Sequence, residues 1–312
     1  MGPAVSSLVF QPPRSDPAAL AAADAALTVG PLPRPEVVWL KTRRGRTVHS
    51  YYLNREASLT VLFSHANAED LAMIYPWLRE MSKELQVNVL AYDYTGYGRS
   101  APGVPPSEAD CFADIEAALA HLTEVRGVPA DRVVLFGRSV GSGPTCHLAE
   151  KMSKEGRPVA GVVLQSPLAS IFRVVFRLRF TLPGDLFVNR DRVPNIASPV
   201  FVVHGTHDEL VPFWHGQEIF LRTRPRFRAR PFWVEGACHN NLEALLRADG
   251  AFFERFRQFL DDDAWPFSQQ LVAREKMRRL ADLNDRAAAQ SQSAGAAAAA
   301  AGGVGAGGRR AR

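Results

Sequence analysis

Short apolar runs alternate with helix-like stretches between about residues 37 and 263 of this 312-residue chain. The helix-like stretches include 66–85 and 107–127. Strands separated by helices predict a mainly parallel sheet, and strands without polar alternation predict a sheet covered on both faces. The first two runs have no helix between them and predict an antiparallel start. Eight runs have the length and composition of β-strands: 37–41, 47–53, 59–65, 87–94, 133–137, 159–165, 198–205 and 230–236.

The segments on either side of this region differ in composition. Residues 1–36 are rich in Pro and Ala, and we predict an N-terminal extension that is partly disordered. Residues 264–312 contain one basic amphipathic stretch at 271–283, for which we predict a helix. An Ala- and Gly-rich end follows it, and we predict disorder there because it has nothing to bury. Between them, the region 37–263 is the predicted folded domain.

One long segment interrupts the alternation of strands and helices. Residues 167–197 contain Phe172, Phe176, Phe180 and Phe187 interleaved with arginines. The segment is either an inserted helix packed on the domain or a cap over a site that admits an apolar group. Both interpretations remain open at the level of the sequence.

The positive charge lies at the C-terminal end. The net charge is +5 and the isoelectric point about 9.3. Eight basic and three acidic residues after position 263 account for all of it, and the preceding residues hold 29 of each sign. A domain that binds nucleic acid normally carries its own basic surface. We therefore predict no nucleic-acid partner.

The cysteines and the apolar runs bear on location. The three cysteines form no C-x-x-C pair and no disulfide framework, which favours a reducing compartment. We find no secretory signal and no apolar run of membrane-spanning length. The prediction is a cytoplasmic protein, with peripheral membrane association left open.

The strand 133–137 leads directly into GRSVG, a match to the G-x-S-x-G pattern. In that pattern the serine occupies a strained turn between strand and helix, and the glycines avoid clashes with the crowded backbone. The helix N-terminus behind the turn favours developing negative charge. The pentapeptide alone is a weak signal, but the apolar strand before it and the helix-compatible stretch after it supply the required context. We predict that Ser139 is a nucleophile.

An acid and a base follow late strands in the order that this chemistry requires. Asp208 comes after 198–205, and His239 comes after 230–236. A serine hydroxyl needs a base to take its proton, and a carboxylate orients the imidazole and stabilises its charged form. We predict that Ser139, Asp208 and His239 form a catalytic triad that requires no cofactor and no metal.

Four residues are rivals for these roles. We interpret His204 as structural because it ends its strand, and Asp93 as organising the loop after it because it precedes the serine in sequence. His207 and Glu209 flank Asp208, and we expect Glu209 to point elsewhere.

The oxyanion formed during acyl transfer needs backbone N–H donors. The expected donors are the N–H of Val140, directly after the nucleophile, and one from the loop after 59–65. For the second donor we predict Asn67, with Ala68 as the neighbouring option. Asn67 could also cap a helix, and the two roles are compatible.

These stretches resemble the α/β-hydrolase superfamily, and most of all its alpha/beta hydrolase domain-containing protein 17 group. The resemblance covers roughly 37–263. It implies an α/β-hydrolase fold with an eight-stranded, mostly parallel sheet and a short cap, a palmitoyl-protein thioesterase activity, and the triad named above. The matching stretches are LFSHANAEDL, YDYTGYGRS, VVLFGRSVGSGPT, VVLQSPLAS, PVFVVHGTHDELVPFWHG and WVEGACHN.

Two features depart from that group. Ala66 stands where a glycine is usual, and because alanine adopts positive φ only at a cost we expect an altered loop or reduced activity. No cysteine precedes Cys111, whereas the group carries a cysteine-rich, palmitoylated N-terminus. LVFQPP near the start is similar to the group's pre-domain segment.

The sequence therefore predicts a serine hydrolase that cleaves acyl esters or thioesters through an acyl-enzyme. The predicted partner is an acylated protein from which palmitate is removed. The alternatives are a carboxylesterase or monoacylglycerol lipase-like enzyme for small esters, and a non-catalytic scaffold with the same fold.

Overall fold

The computed structural model describes residues 9–13, 34–177, 179–180, 182–248 and 250–302. One sheet of eight strands organises the N-terminal part of the chain. The strands are β1 Glu36–Lys41, β2 Thr47–Leu53, β3 Thr60–Ser64, β4 Asn88–Tyr92, β5 Val133–Arg138, β6 Gly161–Gln165, β7 Val200–Gly205 and β8 Phe232–Val234.

The strand order is β1-β2-β4-β3-β5-β6-β7-β8. Strand β2 pairs antiparallel with both β1 and β4, and all other neighbours are parallel. The predicted antiparallel start and parallel run are confirmed. Parallel strands end at the same edge of a sheet, so the loops that follow β3, β5, β7 and β8 meet there.

Helices lie between and after the strands. The α-helices are α1 Leu71–Leu85, α2 Glu108–Ala120, α3 Ser142–Lys154, α4 Ile171–Val175, α5 Asn189–Arg192, α6 Trp214–Arg222, α7 Leu242–Ala248, α8 Ala251–Phe259 and α9 Trp265–Gly302. Helices α1 and α2 correspond to the predicted stretches 66–85 and 107–127. Helix α2 begins where the stretch 107–127 predicts, because Ser107 caps it by accepting the Asp110 N–H at 3.1 Å. Helix α1 begins five residues later than predicted, because Asp70 caps it by accepting the Met73 N–H at 3.0 Å.

Alternate residues of the central strands enter two separate hydrophobic cores. In β5, Val133 and Leu135 face the core that contains α2 and α3, whereas Val134 and Phe136 face the core that contains α1 and α8. Burial on both faces explains why the strands lack polar alternation, as the sequence predicted.

The N-terminal extension contributes to a core, which the sequence did not indicate. Val9 and Phe10 are buried, and the Phe10 ring lies 6.0 Å from that of Phe187. Two apolar residues are too short a signal to be recognised as part of a core from periodicity. The Ala-rich stretch 18–27 lies outside the described residues.

The segment between β6 and β7 holds the two short helices α4 and α5. Phe187 is fully buried against α3, whereas Phe176 and Phe180 are exposed. Residues 168–171 of the same segment are also buried, so the segment is held on both sides of the exposed aromatic rings in its middle.

The chain divides into two units, Met1–Ser268 and Gln269–Arg312. In the second unit, helix α9 continues to Gly302, so the prediction of disorder from the Ala- and Gly-rich composition was wrong up to that residue. Alanine has the highest intrinsic helix propensity, which composition-based reasoning about disorder overlooked. Residues 303–312 lie outside the described part. No helix within the described ranges is both long and apolar enough to cross a membrane.

Candidate active site

Ser139 lies in a strained turn at the end of β5. Its φ is 51°, in the left-handed region that L-residues rarely occupy. The turn passes directly into α3, and the Ser142 hydroxyl donates to the Ser139 carbonyl at 2.6 Å. The predicted strand–turn–helix context of the serine is therefore present, and Ser139 itself is nearly buried.

The two glycines of the pattern are needed because the backbone is crowded. A Cβ at Gly137 would lie 2.6 Å from the Gly141 carbonyl, and a Cβ at Gly141 would lie 2.7 Å from the His65 carbonyl. The second contact shows that the serine turn packs directly on the end of β3. This packing brings the turn that contains Val140 beside the loop that contains Asn67.

Asp208 and His239 form a short hydrogen-bonded pair. The Nδ1 atom of His239 lies 2.7 Å from Oδ2 of Asp208. The carboxylate is buried, while the imidazole keeps 15% of its side-chain surface exposed. The Oδ1 atom of Asp208 accepts the N–H groups of Leu210 and Val211 at 3.1 and 2.8 Å, which fixes the carboxylate plane.

His204 is a second partner of the acid. Its Nε2 lies 2.8 Å from the Val211 carbonyl and 3.3 Å from Asp208 Oδ2. Since a carbonyl only accepts, Nε2 carries the proton. Burial alone would raise the pKa of Asp208, but hydrogen bonds from His204 and His239 outweigh it and hold that pKa well below its usual range. Asp208 is therefore ionised at neutral pH.

The structure separates the remaining rivals from this pair. His207 and Glu209 are exposed, next to the acid in sequence. Asp93 is buried and accepts the Leu71 N–H at 2.8 Å, so it holds the start of α1. A Cβ at Gly98 would collide with the Asp93 carboxylate, so Asp93 also organises the loop that follows it, in agreement with the sequence interpretation.

Ser139 and His239 are not hydrogen-bonded to each other in the described structure. The structure thus joins two of the three predicted triad residues directly and places the third at the end of β5. Such contacts are commonly long in enzymes without substrate and shorten when substrate binds.

The side chain of Asn67 binds the N-terminal segment. Its Oδ1 accepts the Gln11 N–H at 3.0 Å and the Tyr97 hydroxyl at 2.6 Å, and its Nδ2 donates to the Val9 carbonyl at 2.8 Å. The side chain of Asn67 is thus occupied by structural contacts. The predicted oxyanion donor is the backbone N–H of Asn67, which these contacts do not involve.

The positive φ that the sequence led us to expect at Ala66 occurs at another residue of the same loop. Ala66 does not have a positive φ; the left-handed residue of this loop is Ala68, with a φ of 54°. The Ala66 N–H donates to Glu69 Oε2 at 2.9 Å. The expected distortion at Ala66 is thus absent, and the strain lies two residues later.

Comparison with known proteins identifies the family. A family model described as serine aminopeptidase, S33, matches residues 55–189. Alpha/beta hydrolase domain-containing protein 17B of Homo sapiens is 36% identical over 232 residues, which cover 73% of this chain and 76% of that protein. Protein 17C of Mus musculus is 36% identical over 231 residues, covering 73% and 68%. The chain belongs to the α/β-hydrolases of the domain-containing protein 17 group.

Solved structures agree on the fold of this α/β-hydrolase. An alpha-beta hydrolase from Vibrio vulnificus superposes with a TM-score of 0.63 at 17% identity, covering 84% of this chain and 93% of that chain. The Pyrococcus furiosus esterase Pf2001 gives 0.62 at 17% identity, covering 82% and 98%. The predicted α/β-hydrolase fold is confirmed.

Sequence reasoning about this α/β-hydrolase missed two sets of contacts at the site. One is the hydrogen bond from His204 to Asp208. The other joins Arg138, within the serine pentapeptide, to Glu69 and Glu243. A charged residue in the variable position of G-x-S-x-G was the available signal for the second set.

Proposed function

We propose that the protein is a serine hydrolase that cleaves acyl esters or thioesters. Ser139 attacks the acyl carbonyl while His239 takes its proton at Nε2, and Asp208 holds the opposite ring nitrogen. The N–H groups of Val140 and Asn67 donate hydrogen bonds to the developing oxyanion. The leaving alcohol or thiol takes the proton from His239, and an activated water then releases the acid from Ser139.

The observation that carries this proposal is the pairing of a left-handed serine turn with a buried, ionised Asp208 bonded to His239. A serine held at φ 51° costs free energy, and such strain persists where the surrounding fold imposes it, commonly at active sites. The catalytically inert scaffold alternative does not explain why this geometry is retained.

A fluorophosphonate probe tests the reaction class. We expect the wild-type protein to be labelled and Ser139→Ala to be unlabelled. His239→Ala and Asp208→Asn should lose labelling rate by about three to four orders of magnitude. The matched controls are His207→Ala and Glu209→Gln, which change the exposed neighbours. Equal labelling of Ser139→Ala and wild type would refute the proposal.

For the substrate, we propose a long acyl chain carried by a protein as a thioester, as membership of the group and the aromatic segment between β6 and β7 suggest. Exposed Phe176 and Phe180 beside basic Arg177 and Arg179 suit an acyl chain next to an anionic surface. Hydrolysis of a palmitoyl thioester peptide should exceed that of a butyryl peptide. Each added methylene in an apolar pocket contributes about 1–3 kcal/mol.

A small ester is the second candidate substrate. A preference for chains of about four carbons or fewer in the same panel would establish this alternative, because it requires a short pocket.

A further inference from the structure

Arg138, next to Ser139, contacts two carboxylates from different elements, one on the loop after β3 and one on α7. Its Nη1 lies 2.7 Å from Glu243 Oε2 and 3.1 Å from Glu69 Oε1. The three side chains are only 16–18% exposed. Shielded, short ion pairs of this kind constrain geometry more than exposed pairs do.

Glu69 connects Arg138 to the proposed oxyanion loop. One of its carboxylate oxygens faces Arg138, and the other accepts the Ala66 N–H at 2.9 Å. The carboxylate therefore bridges the two ends of the turn from Ala66 to Glu69, and Asn67 is one of the residues of that turn. A displacement of Glu69 would be transmitted to the proposed donor.

Glu243 connects Arg138 to the loop that carries His239. It lies in the first turn of α7, four residues after that histidine. Two hydrogen bonds stiffen the intervening turn: Cys238 N–H to Asn241 Oδ1 at 2.7 Å, and Leu242 N–H to the Cys238 carbonyl at 3.2 Å. The position of α7 is thus tied to the histidine loop.

The cluster has two carboxylates and one cation. Burial raises the pKa of Glu243, Arg138 lowers it, and the neighbouring Glu69 raises it again. Without the guanidinium, the two carboxylates would repel each other, and the loops that carry them would lose their common anchor. Both carboxylates contact the same guanidinium nitrogen, Nη1, so a lysine ammonium can replace part of this arrangement, although its flexible side chain lacks the rigid planar group.

We propose that Arg138 is a positioning residue that holds the oxyanion loop and the histidine loop in register around Ser139. This inference rests on the proposed serine-hydrolase function. It assigns the variable position of the pentapeptide a role that neither the Asp208–His239 pair nor the serine turn provides.

The test compares Arg138→Met, Arg138→Lys and the triple variant Arg138→Met/Glu69→Gln/Glu243→Gln, using a soluble p-nitrophenyl ester. We expect Arg138→Met to lower kcat about 10- to 100-fold with KM changed less than about threefold, since misplaced catalytic groups mainly affect the transition state. Arg138→Lys should recover part of kcat. The triple variant removes the unpaired carboxylates and should regain thermal stability but not kcat.

The matched control is Arg257→Met on α8, whose guanidinium donates to the Glu84 carbonyl and, among the described residues, pairs with no member of the Arg138 cluster. Its kcat should equal that of wild type. A kcat within twofold of wild type for Arg138→Met, or full recovery of kcat in the triple variant, would overturn the proposal. If Arg138→Met does not fold, Glu69→Gln decides: about a tenfold loss of kcat supports the proposal, and an unchanged kcat refutes it. Loss of the proposed function is recognised separately, because Ser139→Ala would then keep its probe labelling and esterase activity.

Discussion

Phe187 lies over Gly143, which is in the first turn of α3, four residues after Ser139. A Cβ at Gly143 would come 2.9 Å from Cε1 of that ring and nearer still to other ring atoms. We expect Gly143→Ala to lower the free energy of unfolding by about 1–3 kcal/mol, because overpacking displaces the ring. Urea denaturation measures the change. Adding Phe187→Leu should make the pair less damaging than the sum of the single variants, and strict additivity would contradict the contact.

Substitution by glycine should change the stability of the protein in opposite directions at Ala68 and at Ala66. Ala68 is exposed and left-handed, so Ala68→Gly relieves backbone strain and should stabilise the protein by up to about 1 kcal/mol. Ala66 is buried without positive φ, so Ala66→Gly should destabilise it by about 0.5–1 kcal/mol. Urea midpoints of both variants decide, and stabilisation by Ala66→Gly would contradict the assigned conformations.

At the residue scale, sequence reasoning found the groups that follow strand ends and missed the pairs that tertiary structure creates. Ser139, Asp208 and His239 could be predicted because each follows an apolar strand in a fixed order. The contact of Arg138 with Glu243 could not, because it joins elements far apart in the sequence. The contact of His204 with Asp208 could not, because it depends on how the turn between them directs the two side chains.

At the element scale, the N-terminal segment 9–13 is hydrogen-bonded to the loop that contains Asn67. Phe10 is its buried anchor, and the Gln11 N–H reaches Asn67. We expect Phe10→Ala to release the segment, so the amide of Gln11 should exchange with solvent at least about tenfold faster. Hydrogen exchange measured by mass spectrometry or NMR gives the rate. Unchanged protection of Gln11 would show that the segment does not depend on Phe10.

The elements themselves were predicted unevenly, for physical reasons. All eight strands could be recognised, because buried strands of a covered sheet are strongly apolar and bounded by turn residues. The start of α1 was placed too early, since Ala66 and Ala68 favour a helix while Asp70 caps it later. The packing of segment 9–13 was missed because the segment is too short to show periodicity. The length of α9 was missed because its C-terminal part is too low in sequence complexity.

At the scale of the whole molecule, His215 makes stability sensitive to acid. It is buried, and its Nδ1 accepts the Ala169 N–H at 3.0 Å. Burial, and to a lesser degree His204, lowers the pKa of His215 to about 3. Between the unfolded value of about 6.5 and that folded value the unfolded chain binds more protons, so this contribution to stability is complete above about pH 6.5 and is lost as the pH falls.

The variant His215→Asn tests this titration. Its side-chain oxygen can still accept the Ala169 N–H, but it has no proton to gain. We expect it to be less stable than wild type at pH 7.5, with the difference narrowing by about 1 kcal/mol per pH unit between pH 6 and 4. Urea denaturation at several pH values measures the gap. A gap that stays constant with pH would show that His215 does not titrate in this way.

Truncation after Ser268 separates the two units of the chain. The unit Met1–Ser268 contains the sheet, both cores and the aromatic contact between Phe227 and Phe267. The removed unit carries the entire net charge of +5. We therefore expect the truncated protein to melt within about 2 °C of the full chain and to keep its probe labelling.

The same truncation should change how the protein interacts with anionic surfaces. Basic residues contribute roughly 1 kcal/mol each near an anionic membrane, and salt screens the attraction. Cosedimentation with phosphatidylserine vesicles at low salt should thus be strong for the full chain and weak for the truncated one. Persistent, salt-insensitive binding of the truncated protein would instead assign the interaction to apolar residues such as Phe176 and Phe180. Loss of binding together with intact labelling would show that the basic unit affects location and leaves the chemistry of Ser139 unchanged.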